Sequence, residues 1–427
     1  METSLMAEQD TPKEQETPPD APLPFLIRRE PVLNKDQGLH GYRLRILWTD
    51  PQHPGADAGL AVMQAAREYG INQLLAYAPH WIDATPALLQ STMAVMLPRN
   101  RCYLEFPDIL DLTPELIQAL QGLAHGGLGF SLRGDLAAQP ERSSLLPFVK
   151  VVGFNTAIST KADIFKQSFQ HKQAGRLLLA IDPPDKATLD NFLLLGFTLY
   201  AGQWPRDLVA ANTLSVRQKT LLNLVSLIMG EGETPEIQRC LEQDSELVKI
   251  LLDMVNTPAY GLSQEITSLP QAIMLLGRRE LQRWIQILMY TEAGRPTGYL
   301  SPVLIQASAR GHLMEALSKQ KYPEQTVRAE SAFTTGILSV IDQMFNSTMV
   351  DLLQQIQLDV PIRDALLHRT GPLGDELRLA ALLFPSDRDQ TEDLASLLNN
   401  LQQTSSQIAP LVQDAFTWAH GITRAAP

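Results

Sequence analysis

Cysteine is nearly absent: the 427-residue chain has two, Cys102 and Cys240, far apart and each inside an apolar pattern. They form neither a disulfide framework nor a CxxC metal site, and they suit a reducing cytosol. Also missing is any apolar run near the roughly 18 to 20 residues a membrane span needs. Stretches such as "LLNLVSLIMG" and "NFLLLGF" read as core elements, and the N-terminus lacks the basic-then-apolar order of a signal peptide. Positive charge is short as well. With 35 Lys and Arg against 47 Asp and Glu, the net charge is −12, which argues against a nucleic-acid partner because phosphate backbones select basic surfaces. The pair Arg278-Arg279 reads as a solvated helix start. No histidine is followed by aspartate. Helical phosphohydrolases that use a divalent pair set His beside Asp, since the ions need imidazole and carboxylate together, so that chemistry has no motif here. The expectation is a soluble, cytoplasmic protein with no membrane span.

What is present divides the chain into three. Residues 1–24 are acidic, Pro-rich and nearly free of large apolar side chains, so they read as a disordered tail. From residue 25 to about 205, short apolar strands alternate with helices: "GYRLRILW", "INQLLAYA", "CYLEF", "LGFSL", "VKVVGF", "RLLLAI" and "FTLYAG" are the strands. "TPELIQALQGLAHGG" opens on a Thr-Pro cap signal, and Gly70 and Gly196 stop two other helices. This is an α/β domain, either a (β/α) barrel or a doubly wound sheet, which periodicity does not separate. From residue 206 to about 415 the pattern is helix after helix. There "TPEIQRCLEQDSELVKILLDMVN" reads as one helix with Thr234 as cap and Pro235 at its first position.

The helical half contains the string "DSELVKILLDMVNTPAYGLSQEITSLPQAIMLLGRRELQRW". It resembles the HDOD domain, a relative of the HD-type phosphohydrolases without their metal ligands. The resemblance rests on a helix ending in Asn256-Thr257-Pro258, a turn at Gly261, Ser268 leading the next helix, and Gly277 closing it. Asn256 and Pro258 would stop a helix, Ser268 would cap one, and Gly277 would give a left-handed exit. These are structural positions and identify a fold, not an active site.

HDOD domains of this layout often follow an EAL barrel, the fold that hydrolyses cyclic di-GMP, and the first half resembles one in element order and spacing. "GYRLRILW" resembles its first signature, with Tyr42 and Trp48 kept, Arg43 at the glutamate, Arg45 in the Ala-Leu pair and Leu47 at the arginine. "YLEFPD" keeps Glu105 and puts Asp108 at the second carboxylate; "GFSLRGDL" has Arg133-Gly134 at the paired aspartates. "FVKVVGF" keeps Lys150 with Val152 at the aspartate, Ile181 lies near an expected glutamate, and Ala201 stands at a glutamine before Gly202. The expected asparagine falls near Pro79.

A two-metal phosphodiesterase needs several oxygen ligands converging on ions about 3.5 to 4 Å apart. Glu105 and Asp108 are too few, and Arg43 and Arg133 bring like charge to the ions' place. Two unit charges at about 4 Å repel by roughly 4 kcal/mol at an effective dielectric near 20. The expectation is therefore a degenerate EAL barrel with no metal, no cofactor and no enzyme activity, in which Arg43 pairs with Glu105. Joined to an HDOD module, it would be a signalling protein regulating through contacts with other signalling proteins. Two alternatives stay open: a receptor in which Arg43, Arg45 and Lys150 hold cyclic di-GMP without cutting it, and a residual phosphodiesterase. A homo-oligomer is also left open.

Overall fold

The computed structural model describes residues 23–425 apart from 51, 53–55, 109, 156–157, 203–215, 231, 257–264, 291–298 and 387–391. The acidic tail lies almost wholly outside the described residues, as do the junction near residue 205 and the positions Thr257, Pro258 and Gly261.

Eight strands close into a barrel in chain order: β1 (Phe25–Asn34), β2 (Leu39–Trp48), β3 (His80–Asp83), β4 (Cys102–Glu105), β5 (Gly129–Arg133), β6 (Val149–Asn155), β7 (Leu177–Ile181) and β8 (Leu199–Ala201). Strands β2 to β8 run parallel. β1 is antiparallel to both neighbours, with Arg29 opposite Leu44 on β2 and Val32 opposite Ala201 on β8. Closure thus settles the choice that periodicity leaves open. A cluster drawn from the strands alone, with Val32, Trp81, Val151, Leu179, Leu199 and Ala201, fills the interior, and Tyr103 stacks on Trp81 at 4.6 Å.

Helices of eight residues or more surround the barrel: α1 (Ala58–Tyr69), α2 (Pro114–His125), α3 (Lys161–Gln173) and α4 (Lys186–Leu195). Each starts on a side-chain cap, from Asp57, Thr113, Thr160 and Asp185, whose oxygen accepts an otherwise orphaned backbone N–H. Gly196 ends α4 in the left-handed conformation, φ 92°, ψ 23°. The second half is helical where described: α5 (Val216–Met229), α6 (Thr234–Leu241), α7 (Ser245–Val255), α8 (Leu269–Leu288), α9 (Pro302–Lys321), α10 (Thr326–Leu338), α11 (Val360–His368), α12 (Gly371–Leu383), α13 (Leu394–Leu401) and α14 (Ser405–Ala425).

Several sequence expectations need correction. "INQLLAYA" is no strand: Ile71–Leu74 form one helical turn after Gly70, and the strand begins at His80. The real strand is four residues long and polar at both ends, so no apolar run marks it. The helix from Thr234 is two helices. The Asp244 side chain accepts from the N–H groups of Glu246 and Leu247 and starts α7 afresh, and Glu233, not Thr234, holds the cap position of α6. Ser268 precedes α8 but makes no side-chain cap bond. Gly277 has φ 66° and ψ 173°, a region open essentially to glycine alone, and it kinks α8 instead of ending it in the left-handed helical conformation.

The β1–β2 hairpin shapes the whole molecule. Its short turn is closed by the Asn34 side chain, which accepts from Asp36 N and Gly38 N at 2.9 and 3.0 Å. So short a link carries no crossover helix, so β1 has no helix of its own, while α1 after β2 packs on β2 and β3. The helical half covers β1: α12 and α14 pack on it. Ser405 Oγ donates to Leu23 O, Arg29 donates to Gln413 Oε1 at 2.8 Å, and Leu39 N donates to Leu300 O at 2.9 Å. One buried cluster runs from Leu23 to Ile422 through both halves. Each large side chain buried there contributes about 1.5–3 kcal/mol relative to exposure. A barrel-only chain ending at residue 202 is expected to lose cooperative packing, read as a missing near-UV circular dichroism signal and no sharp thermal transition. A native-like melt of that fragment would show that the helical half is dispensable to the barrel.

Candidate functional site

The C-terminal ends of β2, β3 and β4 bring Arg43, Arg45, Asp83 and Glu105 together. Arg43 and Arg45 lie on the same face of β2, as a period of two requires, and Asp83 and Glu105 are direct partners across β3 and β4. The Arg43 guanidinium donates to both carboxylate oxygens of Glu105, at 2.9 and 3.0 Å, with both side chains partly buried. Arg45 reaches three carboxylates: Asp83 at 2.8 Å, Glu105 at 3.4 Å and Glu30 of β1 at 3.5 Å. Arg28 meets the other oxygen of Glu30 at 3.2 Å. Next along the rim, Arg133 holds Asp135 through two bonds of 2.9 and 2.7 Å and Asp108 through one of 2.5 Å.

This electrostatic arrangement is closed upon itself. Burial alone would raise the Glu105 carboxyl, but Arg43 and Arg45 outweigh it and hold the group below its ordinary value. Burial wins at Asp83, which is pushed up in spite of Arg45. The bidentate Arg133 bond keeps Asp135 low. Four arginines face five carboxylates around the rim, so the mouth is slightly negative.

Of the residues singled out in the sequence, the fold joins Arg43, Arg45 and Glu105 directly and sets Arg133 and Asp108 together beside them. Lys150, on β6, is exposed and forms no ion pair among the described residues. Asp83 was missed. Its signal was a carboxylate at the end of "HWID", hidden because that strand was not read as one. In the helical half, Asn256 accepts from Ile266 N and donates to Ile266 O, both at 2.8 Å. That is a structural role.

The metal pair implied by the EAL resemblance meets a poor donor set. Glu105 and Asp83 are bonded to guanidinium groups, Asp108 is turned to Arg133, and no group of three His, Cys, Asp or Glu among the described residues is placed to hold an ion. As arranged, these residues do not fit a divalent ion.

Comparison with known proteins adds the family. The HDOD domain model matches residues 221–368. The helical half carries an HDOD domain. Over 416 residues, 93% of this chain and 98% of its own length, YuxH of Bacillus subtilis is 23% identical. The cyclic di-GMP phosphodiesterase CdgJ of Vibrio cholerae is 24% identical over 391 residues, 88% of each chain. Among solved structures, an EAL domain protein from Listeria monocytogenes is similar at 12% identity, covering 42% of this chain and 86% of its own, with a TM-score of 0.35. CdgJ corrects the expectation that this chain is no enzyme: a relative aligned along nearly all of it bears the name of a phosphodiesterase. A count of carboxylates at one rim is no basis for excluding activity, and with Asp83 the rim holds one more than Glu105 and Asp108. No helix among the described residues is long and apolar enough to cross a membrane.

Removing Arg43 tests the latch. Arg43→Ala leaves Glu105 buried beside Arg45 alone and is expected to cost about 2–3 kcal/mol, read by denaturant unfolding at pH 7. Because Glu105 is held below its ordinary value of 4.5, its contribution is full above that pH and is lost as pH falls through the lower folded value. The gap between wild type and variant should therefore narrow below pH 4.5. A constant gap down to pH 3 would show that the charge on Glu105 is not what Arg43 stabilises.

Proposed function

We propose that this protein regulates within cyclic di-GMP signalling by contacting other signalling proteins, with the HDOD-containing half as the contact module. The observation that carries this reading is the self-satisfied rim. Its arginines are already bonded to carboxylates and its net charge is slightly negative, so it offers little to a dianionic nucleotide. The helical half, by contrast, exposes Met274 and Leu275 just before the kink at Gly277, with Met274 85% exposed. Adjacent apolar side chains held in solvent can form part of a contact site when they join a larger apolar patch. The similarity to CdgJ supports placing the chain in this signalling system.

A second reading has its own support. Arg43, Arg45 and Arg133 sit at the strand ends where barrels of this kind bind ligands, and guanidinium forks exchange carboxylate for phosphate readily. Cyclic di-GMP would then displace the carboxylates from the arginines.

Calorimetric titration with cyclic di-GMP, with and without Mg²⁺, separates the two, with linear dinucleotide assayed in the same samples. The contact reading expects no saturable heat and loss of co-purifying proteins on Met274→Glu with Leu275→Glu. Micromolar binding abolished by Arg43→Glu would move the function to the mouth, and accumulation of linear product would make the protein a hydrolase.

A further inference from the structure

Where the outer face of β1–β3 meets α14, aromatic and basic side chains gather with almost no access to water. Tyr42 Oη and His420 Nε2 are hydrogen-bonded at 2.9 Å, and the His420 ring stacks on Tyr77 at 4.6 Å. Phe416, one turn earlier, lies under the Arg29 guanidinium at 4.1 Å and meets Tyr42 edge-on at 5.3 Å. His80, on β3 beside Tyr42, is 0% exposed, with ring centroids 5.9 Å apart. We propose that this seam is a proton-sensitive latch between the two halves: neutral His80 permits α14 to dock on the barrel, and protonation of His80 releases it.

The charges around His80 give the latch its direction. Burial disfavours the imidazolium first; Arg29 from β1 and Arg101 before β4 add positive charge, and a protonated His420 from α14 would add a third. One backbone hydrogen bond, to Ala78, favours the charged form and is outweighed, so His80 is held well below the usual histidine value. Apart from His420, whose charge opposes a second one on His80, the titratable groups facing the seam include Cys102, Tyr42, Arg29 and Tyr69. Burial pushes the Cys102 thiol, opposite His80 on β4, up to about 12 and raises Tyr42 further still. Arg29 falls to about 10 and stays charged, while Tyr69 of α1, beside Arg29 and Gln413 in the adjoining pocket, is raised by burial. Asp414, the carboxylate of α14 nearest in sequence, turns away to His312 of α9 at 2.8 Å. A histidine held down in the docked state and free in the undocked state makes docking full above about pH 6.5 and progressively weaker below it.

Hydrogen exchange on the intact chain tests this. Amide protection along residues 413–423, corrected for intrinsic rates, is compared at pH 7.5, 6.5 and 5.5, with β5 and β6 as internal reference. The latch expects protection in that segment to fall by up to about tenfold per pH unit below 6.5, while the reference strands hold. His80→Gln should abolish the dependence. Should that variant lose its near-UV signal, His80→Phe takes its place and should abolish the dependence equally, since it too removes the titrating ring. Flat wild-type protection, or an unchanged acid slope in the folded variant, overturns the proposal.

Discussion

The hairpin that opens the barrel imposes the constraint on which the rest of the structure depends. A parallel β/α unit brings its own helix to cover each strand, but the short β1–β2 turn leaves β1 with none, and α1, which follows β2, packs on β2 and β3. The outer face of β1 and β2 carries Ile27, Tyr42 and Leu44, all buried, and something must exclude water from it. At β1 the last helix of the chain does so. The two halves are therefore distinct in pattern and share one core, and the C-terminal residues belong to the barrel's packing as much as to the helical domain's.

The mouth follows from a second economy. Arg43 and Arg45 would be costly charges inside a packed barrel if they were alone. Each is matched instead, Arg43 through one nitrogen that donates to both oxygens of Glu105 and Arg45 three ways, and the carboxylates are as dependent on the arginines as the arginines on them. The network is stable as a set and intolerant of single deletions. The same closure that makes it stable leaves its charges already spent on one another.

The legible part of the sequence was the part governed by period. Alternation marked β2, the Thr-Pro cap marked α2, and Gly196 marked the end of α4, because each depends on neighbours in the chain. Arg43 opposite Glu105 was also readable, since the EAL resemblance set those two positions in one site. Asp83 was not. It lies on a four-residue strand whose stability comes from β2 and β4 on either side, not from any pattern of its own. The break between α6 and α7 was hidden for the opposite reason: the apolar stripe continues across it, and only the Asp244 cap interrupts the helix. The seam residues Arg29, His80 and His420 were silent altogether, because Arg29 and His420 are almost four hundred positions apart and nothing local distinguishes a buried histidine from a surface one.

Strand β2 joins these features. Successive side chains on a strand point to opposite faces, so Arg43 turns inward to Glu105 while Tyr42 turns outward to His420. Neither contact has an independent mounting. A shift of β2 along its neighbours by one residue would exchange the two faces, putting a phenol in the ion-pair network and a guanidinium against α14. Smaller displacements are limited by the same pairing, since Tyr42 is registered on His80 and Arg43 on Trp81. The mouth of the barrel and its seam with the helical half are thus held by adjacent residues of one strand, and any event that moves the strand at one of them is felt at the other.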